Sequence, residues 1–195
     1  PVPGHHSTAP CQGAYPPVPY GYAEPSNSET YDVCFYGTQS SRLRPDVWRH
    51  VLSSDMSAIG GIQPHDIDPE VDGDVAAPAL ETDRYVQAIR DSRVNLALDG
   101  LGEFTHRHWE LWMLAAFSLS SPSIRELALP GGAKEYEHFV CFDDLDDLID
   151  KIRYYAIADD ERRAIARAGR RLFERTFDFK QYGAFVVDEM ARSGR

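Results

Sequence analysis

The stretch "VNLALDGLGEFTHRHWELWM", residues 94–113, changes its hydrophobic period halfway along, and that change decides how the chain folds. Val94 to Leu98 is a compact apolar run, too short for a helix, and reads as a buried strand. From Thr105 onward Trp109, Trp112, Met113, Ala116 and Phe117 recur at i, i+3, i+4, i+7 and i+8, which is one wide apolar stripe of a helix. Between them lies "DGLGEFT", a loop with two glycines and two acids. A buried strand, a glycine loop and a helix in succession are the makings of a parallel sheet covered by helices.

The same order recurs on either side. Upstream, "YDVCFYG" (Tyr31 to Gly37) reads as a buried strand, the loop "GTQSSR" follows it, and a helix is expected from about Pro45 to Leu52. "SAIGGI" is a weaker strand, Gln63 to Leu80 a loop, and Asp83 to Asp91 a short helix with Tyr85 and Ile89 four apart. Downstream come a short strand in "SLSS", a loop over Glu126 to Lys134 and a strand in "HFVCF". Asp143 and Asp144 then open a helix carrying Leu145, Leu148, Ile149, Ile152 and Tyr155, with acids at the end the helix dipole favours. Two more helices, Asp160 to about Arg175 and about Lys180 to Ala191, close the chain. The expected fold class is α/β, a Rossmann-like three-layer α/β/α arrangement with a parallel sheet, closed by C-terminal helices. Residues 1–30, rich in Pro, Gly, Ser, Tyr and His, have neither period and read as an irregular arm or linker, leaving 31–195 as the domain.

Composition removes several classes of function. A formal charge of -11 on 195 residues would repel a nucleic-acid backbone or an anionic membrane, so any anionic ligand must be held by local groups. No apolar run approaches the ~18 residues of a membrane span, and no signal peptide is visible. Cys11, Cys34 and Cys141 are odd in number and far apart, which gives neither a disulfide framework nor a metal knuckle; the expected setting is reducing and cytoplasmic. The first residue is Pro1, and the chain is expected to be a fragment lacking part of the functional unit.

Ligands of open parallel sheets sit beyond the C-terminal ends of the strands, which singles out two loops. In the second, Thr105 is a good N-cap, and the free N–H groups after it make a ready anion site to which Arg107 adds a forked guanidinium. Glu110, one turn on, is placed to accept hydrogen bonds from sugar hydroxyls. His106 and Glu110 share a helix face while His108 points elsewhere, so a three-ligand metal site would need an extended chain that the helical period contradicts. In the first loop Gly37 permits close backbone approach, Thr38 and Ser40 supply hydroxyls and Arg42 a charge, although taken alone this is an ordinary strand-to-helix turn. The chain has no GxGxxG, no GxxxxGK[ST], no GxSxG and no HExxH, so dinucleotide oxidoreductases, P-loop NTPases, serine hydrolases and zinc proteases are unsupported.

Four segments together, "YDVCFYGTQSSR", "YVQAIRDSRVNLAL", "THRHWELWMLAAFSLSS" and "HFVCFDDLDDLIDKIRYYAIADDERRAIARAGRRLFERTFDF", resemble the C-terminal lobe of glycosyltransferases built from two Rossmann-like lobes, the GT-B fold, in its CgeB-like, group-1-related branch. The resemblance runs from about Tyr31 to Tyr182. It implies a lobe that binds a nucleotide diphosphate sugar, with the helix N-terminus near the diphosphate and the helix glutamate near the ribose. Carried over, donor contacts fall on Gly37, Thr38, Arg42, Gly102, Glu103 and Thr105, with Arg107 and Glu110 as the catalytic pair. No metal and no further cofactor are expected, the acceptor is unknown, and a missing N-terminal lobe would complete a hexosyltransferase-like site. Two positions depart from the family pattern. "AAF" stands where a small residue and a glycine are usual, so Phe117 would crowd the site, and Glu103 and Glu110 are seven apart, one short of the E-x7-E separation. Those departures keep open a second reading, a degenerate, non-catalytic interaction module, beside a third, another Rossmann-like sugar or nucleotide enzyme.

Overall fold

The structure is a computed structural model and describes residues 29–65 and 70–176. Its five strands form one parallel sheet in the order β2-β1-β3-β4-β5: β1 Tyr31–Thr38, β2 Ala58–Gln63, β3 Ser92–Ala97, β4 Ser118–Ser120 and β5 Val140–Cys141. The helices are α1 Leu43–Leu52, α2 Thr82–Arg90, α3 His106–Met113, α4 Leu145–Ile157 and α5 Asp159–Thr176. The Rossmann-like α/β class expected from the alternating pattern is therefore what the chain adopts. The expected last helix, Lys180 to Ala191, and nearly all of the N-terminal arm lie outside the described residues. No helix among the described residues is long and apolar enough to cross a membrane.

Strand alternation sorts the core into two sides. Val33, Phe35, Val94, Leu96, Leu119 and Val140 meet Val47, Trp48 and Val51 of α1 and Leu148 and Ile152 of α4. Their neighbours Cys34 and Ala97 face Ile89 of α2 and Leu111 of α3. Trp109 and Trp112 on the far side of α3 pack with Phe139 and with Leu172 of α5. Gly169 makes that last crossing possible, because a Cβ there would stand 2.9 Å from Trp112 Cδ1 and 3.1 Å from the His138 carbonyl oxygen. Cys34 and Cys141 are buried free thiols, pushed up to about 11 and about 12, mainly by burial.

Several boundaries differ from the sequence reading for identifiable reasons. Helix α1 starts at Leu43 and not at Pro45, since a proline within the first turn lacks only an N–H that has no helical partner there. That shift brings Arg44 into the helix. The strand in "HFVCF" shrinks to Val140–Cys141 because Phe139 is taken up by a turn, accepting from the Tyr136 N–H at 2.7 Å. The stretch after β4 contains two short 3-10 turns, Pro122–Glu126 and Pro130–Gly132, in part where only loop was expected.

Helix α3 ends at Met113, so Ala116 and Phe117 do not belong to its stripe. Ala115 adopts φ 51°, and the Ala116 and Ala115 N–H groups donate back to Leu111 and Trp112 carbonyls at 2.9 and 3.1 Å. This is a Schellman end with alanine where glycine is the usual residue. A left-handed alanine costs about 1 kcal/mol, so Ala115→Gly is expected to raise the unfolding free energy by roughly that amount in urea denaturation, with the slope unchanged.

Candidate functional site

Strands β1 and β3 are neighbours, yet the chain leaves β1 toward α1 on one face and β3 toward α3 on the other. Divergence of two adjacent connections opens a crevice at their C-terminal ends, the usual ligand position in such sheets. Here the crevice has a volume of about 680 Å³ and is walled by the loop after β1, the loop after β3, the first turns of α1 and α3, and Tyr85 of α2. Gly37, Thr38, Gly102, Thr105, Arg107 and Glu110 all line it.

Two residues expected there do not. Arg42 is exposed and stands as the residue before α1, and Glu103 is exposed on the loop after β3. Alternation along a loop is not readable from sequence, so the direction of neither side chain could be anticipated. Phe117 does not crowd the crevice; it is buried, stacks on Tyr155 with ring centroids 4.4 Å apart, and lines a different cavity. Its position one strand further along, just before β4, removes the expected obstruction.

Arg44 occupies the place that Arg42 was expected to fill. Its Nε donates to the Asp99 carbonyl at 2.7 Å, Nη1 to that of Thr38 at 2.8 Å and Nη2 to that of Leu98 at 3.1 Å, so one guanidinium ties together the ends of β1 and β3. A guanidinium has five N–H groups, and two remain. Gly100 makes room for it: a Cβ there would lie 2.8 Å from Arg44 Nη2. Burial, and then the charge of Arg107, pull the Arg44 group down to about 10, which still leaves it charged at neutral pH.

Arg107 is 9% exposed, shares the Phe35 ring with Arg44 at 6.0 and 5.8 Å, and lies 4.8 Å over the ring of Tyr85. Its Nη1 donates to the Tyr85 hydroxyl, and that hydroxyl donates to Glu110 Oε2 at 2.5 Å. Burial first, with Glu110 adding to it, raises the Tyr85 phenol well above its ordinary range, so it is a permanent donor to the carboxylate at neutral pH. Arg107, Tyr85 and Glu110 thus form one wired group. The sequence marks Tyr85 only as a partner of Ile89 on one side of a short helix; the signal that could have found it is a tyrosine, a ring with a hydroxyl at its tip, in a helix next to the crevice.

Thr105 is the N-cap of α3, as its sequence indicated. The Thr105 N–H donates to His108 Nδ1 at 3.1 Å, a reciprocal cap in which a histidine replaces the usual Glu or Gln. His108 is fully buried and stacked on Phe104 at 4.9 Å, and burial above all lowers its imidazole to about 3. It is therefore neutral and structural. Because the folded value lies below the ordinary 6.5, the unfolded chain binds the extra proton, and stability is lost as pH falls from about 6.5 toward 3 at up to ~1.4 kcal/mol per unit. Replacing His108 by Gln should flatten that part of a stability-against-pH curve measured by urea denaturation.

The site as a whole offers two buried guanidiniums, a helix start and one carboxylate–phenol pair above the sheet. That combination suits a ligand with an anionic group and neighbouring hydroxyls. Among the described residues no three His, Cys, Asp or Glu side chains converge as ligands for a metal ion.

Residues 41–187 match the family model described as glycosyl transferase-like. Among solved structures, the spinosyn rhamnosyltransferase SpnG complexed with spinosyn aglycone is similar in fold, with a TM-score of 0.50 and 15% sequence identity over 82% of this chain. The chain spans 47% of that structure. No curated protein matches the sequence.

Proposed function

Since the chain belongs to the glycosyl transferase-like family, we propose that residues 31–195 are the donor lobe of a sugar-transferring enzyme and that the crevice between β1 and β3 receives a nucleotide diphosphate sugar. The observation that carries this reading is the pair of buried arginines, Arg44 and Arg107, fixed beside the N-terminus of α3 in a protein of net charge -11. Such a pair attracts a diphosphate in spite of the overall field, and fixed donors of this kind stabilise the charge that grows on a departing diphosphate. Glu110 would accept hydrogen bonds from the ribose or sugar, with Tyr85 holding the carboxylate in place. Thr38, Gly37 and Gly102 leave backbone and hydroxyl surface for the remaining donor atoms.

An acceptor site would come from a second lobe of comparable size, in keeping with the 47% coverage of the similar structure. Leu101, 74% exposed at the crevice rim, is the apolar residue such a lobe would cover first. Calorimetric titration with UDP, GDP and dTDP tests the reading: at least one should bind saturably, and the isotherm should be unchanged by EDTA because arginine and backbone groups meet the phosphates. Absence of heat with all three at millimolar concentration counts against it.

A further inference from the structure

A second cavity, of about 540 Å³, lies at the opposite end of the sheet, where Ser92 starts β3 and Phe117 precedes β4, with α5 across it. Its volume falls within the range of small-molecule sites. Six of the chain's twenty Lys and Arg residues line it, Arg90, Arg162, Arg163, Arg167, Arg170 and Arg171, against two acids, Glu29 and Glu174. A surplus of positive charge this concentrated runs against the charge of the molecule as a whole.

The six are not equally committed. Arg162 is 3% exposed and held by Glu29 and Asp159, Arg163 pairs with the same two acids, and Arg170 pairs with Glu174 at 2.9 Å. These pairs build a fixed wall and use up both lining acids. Arg167 and Arg171 are exposed, and among the described residues neither has a hydrogen bond or ion pair. With Arg163 they repeat at i, i+4 and i+8 along one side of α5, a spacing that sets like charges against each other and destabilises a helix by a few tenths of a kcal/mol per pair. An anion seated between them reverses the sign of that interaction.

We propose that this cavity is a second anion site, distinct from the donor crevice, for a small ligand carrying two or more phosphate groups, with Arg167 and Arg171 as its free contacts and Arg163 beside them. A compact polyphosphate matches the row of guanidiniums, each of which binds phosphate through a planar fork. The floor of Ala115 and Ala116 offers backbone and methyl surface for an organic portion.

The experiment is a calorimetric titration of the chain with inorganic tripolyphosphate at constant ionic strength, repeated with R167Q/R171Q and R167K/R171K. Both positions are exposed and without partners among the described residues, so the variants should keep the parent melting temperature. The wild type should show a saturable event that R167Q/R171Q loses or weakens at least 10-fold and that R167K/R171K retains in good part. An isotherm the glutamine pair leaves unaltered, or no saturable event in the wild type, overturns the proposal. A crevice event that persists in R167Q/R171Q is read separately through Arg107→Gln, so failure of the donor reading and failure of this one are told apart.

Discussion

Arg107→Gln is expected to weaken binding of the preferred nucleoside diphosphate by about 10- to 100-fold, the loss of one charge-assisted, partly desolvated contact. Glutamine keeps an amide donor on a shorter side chain but no charge and no fork. Tyr85 would retain its bond to Glu110, so the carboxylate should stay where it is and the pocket should keep its shape. Tyr85→Phe is the companion variant: it cuts the link between Arg107 and Glu110 but leaves the charge, and its effect on affinity should be several-fold smaller. Equal losses in the two variants would mean that the wired geometry matters and not the guanidinium charge.

Arg44→Met should be the most destabilising substitution at the site, by roughly 2–4 kcal/mol, because three charge-assisted hydrogen bonds to the ends of β1 and β3 disappear together. For a chain of this size that corresponds to a fall in melting temperature on the order of 5–15 °C. Arg44→Lys should recover only part of the loss, since an ammonium on a flexible stem cannot address three carbonyls set in different directions. Donor affinity should also fall, because both strand ends shape the crevice. A melting temperature unchanged in Arg44→Met would remove Arg44 from the account.

Much of this architecture is legible in the amino-acid sequence. Runs such as Val94 to Leu98 are too short and apolar for a surface helix, and the tryptophans of α3 announce a helix by their spacing, so the order of strands and helices and the two loops that wall the crevice follow. Arg107, Glu110 and Thr105 were within reach because a helix start after a glycine loop has a known geometry. The misses have physical causes. Pro45 looked like a first helical residue, and placing the boundary there hid Arg44, whose role depends on pointing back over the strand ends. Tyr85 hid in an apolar helix face because its ring packs while its hydroxyl works. Ala115 ended α3 early in a conformation alanine rarely takes, which moved Phe117 from an expected obstruction into the core. Arg42 reads as a loop charge and Glu103 comes from the resemblance, and loops carry no periodic signal to say which way either side chain turns.

Helix α5 teaches a related lesson. Its sequence shows arginines spaced along one helix, and only the fold places several of them over a cavity together with Arg90 of α2. Sequence spacing identifies which residues share a side of a helix; what lies opposite that side is a property of the tertiary structure.

The central claim is that a nucleoside diphosphate occupies the crevice between β1 and β3. Backbone amide NMR spectra recorded while the best-binding nucleoside diphosphate is titrated into the chain test it most directly. The account predicts saturable shifts concentrated at residues 37–41 and 99–108, around the two loops and the first turn of α3, and their disappearance at the same ligand concentration in Arg107→Gln. Shifts confined to other parts of the chain, or shifts at these residues that Arg107→Gln leaves intact, would contradict it.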